Sequence, residues 1–414
     1  MFKYYLSILL IPLLGKNVSA SNDTMTLDMK NATTVLLQSN LELMAANYQI
    51  DMAEAEKLQA GLWPNPTFVW NADLYSLERN EYFNYKNQKL IQIEMMVPVT
   101  GRIRKARQLA ETNVEFKKLE FEQFSRELVF EFKKLCIDSE LKLYLLRNYE
   151  ELLPLLDRSL ESSKARNSMG MVPNSEVLRL EAELKSLRLN YSVLKLEFMD
   201  LQKQLRTLLS LKNQVIVRII LDEVITALPT LDVLFSEAKS RRSDLKMLKL
   251  EVQMSKQSLQ LEKASALGDL KLGFQPHDKG SNYVRPYTGM VLEIPMPFFD
   301  RNQGNIQKMK YKISSTETLY TRKELEVRQE VANVYQKILL ADVEFKRFDP
   351  KTNAALKSLL EKAGENYGAK LIDILEYLDI QRMYLQMQEA VIGFRTERLY
   401  LKSELEFLTN YTIN

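Results

Sequence analysis

The chain has 414 residues, with 57 Lys and Arg against 54 Asp and Glu, a net charge of +3. That balance lacks the concentrated basic footprint of a nucleic-acid-binding protein, so no nucleic acid is expected as a partner. With 12 glycines, 12 prolines and 27% charged residues, rich in Leu, Glu and Lys, it favours long helices. No Gly/Ser/Pro-rich linker divides it, and it reads as one elongated body.

The first 20 residues read as a signal peptide: Lys3 gives a positive start, Tyr4 to Leu14 an apolar core, and Val18-Ser19-Ala20 a small-residue cleavage site. No later stretch reaches the roughly 18 uninterrupted apolar residues of a transmembrane helix. An exported chain of this kind enters a membrane only as a closed β-barrel. A helix is expected over 27–61, ended by Gly61 and the turn Trp63-Pro64-Asn65-Pro66. Alternating strands follow at 67–75, with Phe68, Trp70, Ala72 and Leu74 on one face, and at 89–97, with Ile91, Ile93, Met95 and Val97 on one face. Each has about the nine residues a tilted strand needs to cross a bilayer.

From 102 to 166 there is no glycine and one proline, Pro154, which predicts a rod of roughly 100 Å. A turn at 167–174 holds Gly170 and Pro173. The return helix spaces Leu180, Leu184, Leu187, Tyr191, Leu194, Phe198, Leu201, Leu205 and Leu208 alternately four and three apart, a coiled-coil seam. The second half repeats the order. A helix is expected at 231–267, a strand at 270–275, a loop at 276–286 with the lone His277, and a strand at 287–294. A long helix at 305–363 is interrupted at Pro350, and its return spaces Leu371, Leu378, Leu385, Ile392 and Leu399 seven apart. Met169-Gly170-Met171-Val172-Pro173 is read as answering to Tyr367-Gly368-Ala369-Lys370-Leu371. The division is 21–212 and 213–414. Four strands cannot close a barrel, and open edges are not tolerated in lipid. Three copies give twelve strands and an aqueous lumen, whereas two give eight, whose interior side chains would fill. A homotrimer is therefore expected.

Catalytic and metal signals are weak. There is no phosphate-cradling glycine loop, no Gly-x-Ser-x-Gly elbow and no histidine paired with a nucleophile, so no enzyme is expected. One histidine and one cysteine make no metal site, and no cofactor is expected. Cys136 is expected to pack as a small apolar residue. Arg102, Arg104, Lys105 and Arg107 cluster where a long helix starts, against the dipole preference, and suit either lipid phosphates or a solvated face. Trp63, Trp70 and Tyr75 are candidate interfacial anchors, with plain turn packing the equal alternative for Trp63.

Ala60-Gly61-Leu62-Trp63-Pro64-Asn65-Pro66 resembles the turn into the first strand of the TolC-like outer-membrane efflux proteins. Glu293-Ile294-Pro295-Met296-Pro297-Phe298-Phe299-Asp300-Arg301-Asn302-Gln303-Gly304-Asn305-Ile306 is similar to a segment of that family's heavy-metal branch, the CzcC/CusC type. The resemblance implies a mostly α fold with four strands per protomer in a trimeric 12-stranded barrel, continued by a helical tunnel in the periplasm. It implies an outer-membrane location in a Gram-negative cell, lipid contact, a periplasmic adaptor and an inner-membrane RND-type exporter. The cysteine that carries a lipid in many relatives is missing. By the same resemblance Asp373, Glu376 and Glu176 would form acidic rings at the periplasmic aperture, beside Lys370. Gly170, Pro173 and Gly368 would mark the adaptor-docking turns, and Pro64, Pro66, Pro98, Pro295 and Pro297 the barrel–helix turns. The expected activity is passive export of heavy-metal cations. Export of drugs or proteins, and a secreted structural coiled coil without a pore, are the alternatives.

Overall fold

The computed structural model describes residues 24–72, 75–76, 80–82, 89–220, 228–278, 285, 287–347 and 350–412. The expected signal peptide and the strand positions Asp73 and Leu74 lie outside them. The chain opens with β1 (Thr24–Asp28), α1 (Met29–Ser39) and α2 (Leu41–Ala60), where the sequence pattern suggests one helix. Two caps cut that pattern. The Asp28 carboxylate accepts the Asn31 N–H at 2.6 Å, and Asn40, in extended backbone, accepts the Leu43 N–H at 3.0 Å through Oδ1.

A short β2 (Thr67–Ala72) and a two-residue pair, β3 (Tyr75–Ser76) with β4 (Glu81–Tyr82), lead to β5 (Lys89–Val97). Then α3 (Arg102–Ser168) runs 67 residues, straight through Pro154, for about 100 Å. It turns into α4 (Asn174–Leu208) and β6 (Ile216–Ile220). The second half holds α5 (Leu231–Arg241), α6 (Ser243–Ser265), β7 (Leu270–Asp278), β8 (Tyr287–Glu293), α7 (Gln303–Arg347), α8 (Pro350–Gly368) and α9 (Ile374–Thr409). The helix expected at 231–267 thus breaks at Arg242, and β7 is three residues longer than expected. It carries Pro276 and His277 where a loop was expected. Pro276 lies where the pairing of β7 with both neighbours shifts register, a place where a missing N–H costs little.

β2, β5, β7 and β8 form one antiparallel sheet in the order β2-β5-β7-β8. The helices attached to those strands repeat the order: α2 packs on α3, α3 on α6, and α6 on α7. This layer is one helix thick. In α2 only Leu43 and Ala53 are buried, and in α6 only Ser243, Leu245, Ser255 and Ala264. A wall with solvent on both sides needs few apolar positions, which is why α2 and α6 read weakly as amphipathic helices. The chain presents 27263 Å² of surface, against about 16,500 Å² for a compact monomer of 48.3 kDa.

The packed cores lie lower down. One joins α1, β1, β6, the middle of α3 and the end of α4 around Leu36, Phe132, Cys136 and Leu205. Its counterpart joins α5, α7 and the end of α9 around Leu234, Val331, Ile338 and Leu405. The third binds α3, α4, α8 and α9 through Leu156, Leu180, Leu187, Tyr367 and Tyr377. Most of the expected seam on α4 is buried there, including Leu180, Leu184, Leu187, Leu194 and Phe198.

The two halves keep matching devices. Asn40, at the first break, donates to the Leu208 carbonyl at 3.0 Å, and Arg242, at the second, donates to the Leu408 carbonyl at 3.3 Å. Each fastens an upper helix to the end of its own return helix. Arg242 is buried and is matched by Asp244 and Glu330 at 2.6 and 2.9 Å, which hold its pKa above the ordinary value despite its burial.

β1 and β6, too short to be read from sequence, pair in parallel. The other edge of β6 is closed by a side chain. The Gln202 amide donates to the Val217 carbonyl at 2.9 Å and accepts the Val217 N–H at 2.7 Å, and it also donates to Ser139. A buried glutamine thus takes the place of a missing strand. Replacing it (Gln202→Ala) leaves both backbone groups of Val217 without a partner. The expected loss is about 2–4 kcal/mol of unfolding free energy, measured by denaturant titration, with Ser139→Ala costing less.

Candidate functional site

At the end of the molecule farthest from the sheet, two hairpin turns lie side by side. In the first, the Met171 N–H donates to the Arg166 carbonyl at 2.9 Å and Gly170 takes φ +70°. In the second, the Leu371 N–H donates to the Asn366 carbonyl at 2.8 Å and Lys370 takes φ +62°. Both are Schellman-type ends, two hundred positions apart. The pairing suggested by sequence, Gly170 with Gly368, is therefore shifted by two residues. Gly368 is the last residue of α8, and the left-handed position belongs to Lys370. Sequence matching followed the visible glycine, but the backbone needs its left-handed residue two places later.

Register also pairs Pro173 with Asp373 and Glu176 with Glu376. Pro173 is the N-cap of α4 and offers no side-chain bond, whereas Asp373 caps α9 by accepting the Glu376 N–H at 2.9 Å. Glu376 is exposed in the first turn, where the helix dipole favours a carboxylate. Lys370 is exposed at the tip. Glu176 differs: its carboxylate accepts from the Tyr367 hydroxyl and lies 3.3 Å from the Ser163 hydroxyl. Its counterpart Glu376 faces no such pair, because the positions matching Ser163 and Tyr367 are Ala363 and Asn167.

Tyr367 is the hub that sequence reasoning missed. Its ring stacks on Tyr377 at 5.0 Å, and the Tyr377 hydroxyl bonds Ser159 at 2.9 Å. The Arg166 guanidinium lies 5.1 Å from its ring centre and donates to the carbonyls of Tyr367 and Gly368 at 3.3 and 3.5 Å. Burial first, then donation to Glu176, pushes the Tyr367 hydroxyl up to about 12, so it stays a donor at any physiological pH. Farther up, Arg382 on α9 pairs with Glu183 on α4 at 2.6 Å. These contacts tie the first hairpin to the second within the chain. They bring Glu176 into the joint and leave Asp373, Glu376 and Lys370 outside it.

The sheet at the other end sorts its side chains by face. Phe68 stands opposite Ile93, Ile93 opposite Phe274, and Phe274 opposite Met290, so one apolar row crosses all four strands. Met95, Leu272 and Leu292 form a second row on the same face, and Trp70 and Ile91 stand above. Most of these side chains are exposed. The opposite face carries the charged and amide side chains, interspersed with Val69, Met96 and Val291. Lys271 pairs with Glu94 at 2.7 Å and Glu293 at 3.7 Å, and Gln275 donates to Gln92 at 2.7 Å. Gln92 lies across Gly273, where an added Cβ would come within 2.9 Å of its amide. Gly273 is thus explained by a side chain crossing its strand.

The prolines mark the links between sheet and wall. Pro64 and Pro66 fall between α2 and β2, Pro98 between β5 and α3, and Pro295 and Pro297 between β8 and α7. The basic cluster opens α3. Arg102 pairs with Asp269, Lys105 donates to the Thr100 carbonyl at 3.0 Å, and Arg104 and Arg107 are exposed. Cys136 is a buried free thiol whose pKa is raised by burial and by nearby Glu140. Among the described residues no group of three or more His, Cys, Asp and Glu is placed to hold a metal ion, and no helix is long and apolar enough to cross a membrane.

No family model and no curated protein matches the chain. Solved structures do. The outer-membrane channel OprN is 16% identical with a TM-score of 0.76, over 92% of this chain and 89% of its own. CusC, described for the conformational changes that accompany folding and transmembrane channel formation, is 15% identical with a TM-score of 0.73, over 98% of both chains. The Campylobacter jejuni CmeC outer membrane channel is 13% identical with a TM-score of 0.75, over 92% of this chain and 85% of its own. The chain has the TolC-like fold, mostly helical with a small sheet.

Two outcomes follow from the tip. Lys370→Gly removes left-handed strain and should stabilise the hairpin by about 1 kcal/mol, visible as a higher melting temperature, while Gly170→Lys should cost a similar amount. Tyr367 has a folded pKa of about 12, above its ordinary 10.0. Its contribution is therefore complete below pH 10 and lost as pH rises towards 12. Wild type should lose more stability over that window than Tyr367→Phe, measured by thermal unfolding.

Proposed function

We propose that this chain is the outer-membrane channel of a tripartite export system, a passive conduit assembled from three copies. The observation that carries this reading is the four-stranded sheet. It exposes an apolar face, carries charges on the other, and ends in two strands, β2 and β8, that among the described residues each pair on one side only. In lipid such edges must be closed, and joining β2 of one copy to β8 of the next closes them. The polar face then lines an aqueous lumen, and the layer α2-α3-α6-α7 continues the barrel wall into the periplasm. A structural coiled coil without a pore has no use for a sheet exposed on both faces.

The division into two repeats, 21–212 and 213–414, belongs to this reading, supported by the matching breaks at Asn40 and Arg242 and the matching turns. The tips carry the aperture. Threefold repetition gathers Asp373 and Glu376 around one axis, with Lys370 beside them, and such rings favour cations. Glu176 acts one step back, holding one hairpin against the other through Tyr367. The turns around Gly170, Pro173 and Gly368 offer the contact for a periplasmic adaptor, which links the channel to an inner-membrane RND-type exporter. Heavy-metal cations are the proposed cargo, supported by the Glu293–Ile306 resemblance and the acidic tips. Drug or protein export is the competing cargo.

The mature protein should migrate on gels as a trimer that dissociates on heating, and in planar bilayers it should conduct with a cation preference. Asp373→Asn combined with Glu376→Gln should move the permeability ratio towards unity. A water-soluble monomer that forms no pores defeats the channel. A pore whose selectivity ignores both substitutions defeats the aperture assignment alone. A deletion strain sensitised to dyes and indifferent to metals defeats the metal cargo.

A further inference from the structure

We infer that the groove between α3 and α6 binds a polyvalent oxyanion of the phosphate class, which supplies the counter-charge this helix seam lacks. The inference goes beyond the channel reading and does not depend on it. The groove encloses about 620 Å³. It is lined by four cations, Arg104 and Lys105 of α3 and Lys249 and Lys256 of α6, by four glutamines and by Val252. No carboxylate lines it.

The seams on either side are built differently. α2 and α3 are joined by Lys57 with Glu111 at 3.1 Å and Lys118 with Glu54 at 3.7 Å. α6 and α7 are joined by Lys256 with Glu317 and Lys312 with Glu251, both at 2.8 Å. Between α3 and α6 no ion pair forms among the described residues, and the nearest, Arg102 with Asp269, lies in the link beyond α6. The hydrogen bond that does cross this seam, from Gln253 to Thr112 at 3.4 Å, is neutral. Lys105 is engaged by the Thr100 carbonyl and Lys256 by Glu317, whereas Arg104 and Lys249 form no ion pair among the described residues. With cations on both helices and no anion between them, the bare seam repels itself.

This charge is not inherited from the duplication. α6 and α2 align through their breaks at Arg242 and Asn40, a register that also matches the buried pairs Leu245 with Leu43 and Ser255 with Ala53. In that register Lys249, Gln253 and Lys256 stand where α2 has Asn47, Asp51 and Glu54. The cationic groove is therefore particular to the α3–α6 seam.

The lining selects the ligand. Guanidinium and ammonium groups beside amides suit an oxygen-rich anion, the cations supplying charge and the amides directed donors. Gln257 also lines the groove, and its Oε1 is buried with no hydrogen-bond partner, an acceptor that a protonated phosphate oxygen satisfies. Lys249 and Lys256 lie about 10 Å apart along α6, so an anion with several charged oxygens spans them better than a monovalent one. Lys249 lies about 24 Å down α6 from its last residue, Ser265. A lipid headgroup layer at the foot of a membrane-spanning sheet is only about 5–8 Å deep and ends well short of that, which favours a soluble oxyanion.

The test is calorimetric titration of the full chain in a neutral detergent with sodium tripolyphosphate, in phosphate-free buffer at ionic strength held constant with sodium chloride. Wild type should bind saturably, one tripolyphosphate per chain, and its melting temperature should rise with occupancy. Arg104→Gln combined with Lys249→Gln should weaken binding at least tenfold. Arg179→Gln combined with Lys185→Gln removes two exposed cations from α4 and should leave binding unchanged. Gln108→Glu supplies the missing carboxylate from within and decides the matter should the double variant fold poorly. It should weaken tripolyphosphate binding by a similar factor and raise the melting temperature measured without oxyanion. The absence of saturable binding by wild type overturns the site, and so does an equal loss in the α4 control. Reconstitution into phosphatidylglycerol nanodiscs should leave binding intact. If binding is lost there, the groove belongs to a lipid headgroup and the inference fails.

Discussion

The architecture is governed by backbone hydrogen bonds that the chain does not complete by itself. β2 pairs only with β5, and β8 only with β7, so each leaves an outer row of N–H and C=O groups without a strand partner among the described residues. Elsewhere the protein pays close attention to the same problem. The free edge of β6 is closed by the Gln202 amide, and the helix breaks at Asn40 and Arg242 donate to terminal carbonyls of the return helices. A fold that satisfies a five-residue strand with a dedicated side chain leaves two longer strands open, and the proposed channel is the reading that gives those edges a partner.

The wall of helices follows from the sheet. Because α2, α3, α6 and α7 continue β2, β5, β7 and β8 in the same order, the neighbour relations set by strand pairing pass into the helical layer. A layer one helix thick buries too little to be stable alone. Its stability comes from lower down, where α1 and β6 on one side and α5 on the other add second layers, and where four helices meet around Tyr367 and Tyr377.

The long helices, the strand positions and the duplication were legible in sequence because each rests on a sustained pattern: glycine-free runs, period-two alternation and heptad spacing. What was hidden depended on single side chains acting at a distance. Nothing local marks β1 and β6 as partners, since they lie about 190 residues apart and are five residues long. Helix 27–61 breaks because Asn40 reaches Leu208, and helix 231–267 breaks because Arg242 reaches Leu408. The turn register was misread for a related reason. Gly368 is conspicuous in sequence, but the left-handed site is occupied by Lys370, a residue type that gives no warning of it. At the tip, Asp373, Glu376 and Glu176 were visible as acids after a turn. That Tyr367 engages one of them was not, because tyrosine in an apolar run reads as core.

That engagement breaks the symmetry between the halves where an aperture would need it broken. Two identical hairpins would present Glu176 and Glu376 alike, and both would sit in exposed first turns. Instead Ser163 and Tyr367 capture Glu176, whereas Ala363 and Asn167 leave Glu376 free of such a partner. The first hairpin is thereby a fixed support, held through Arg166 and Glu183 as well, and the second keeps its carboxylates outward. Opening such a tip by moving α8 and α9 away from α3 and α4 has to break the Tyr367–Glu176 bond, the Arg166 bonds to two carbonyls and the Arg382–Glu183 pair together. Tyr367 and Tyr377 also belong to the core that holds Leu156 and Leu180, so parting the hairpins has to unpack that core as well as break these bonds. The joint is therefore a polar rim over an apolar core, and the two hairpins hold together through both.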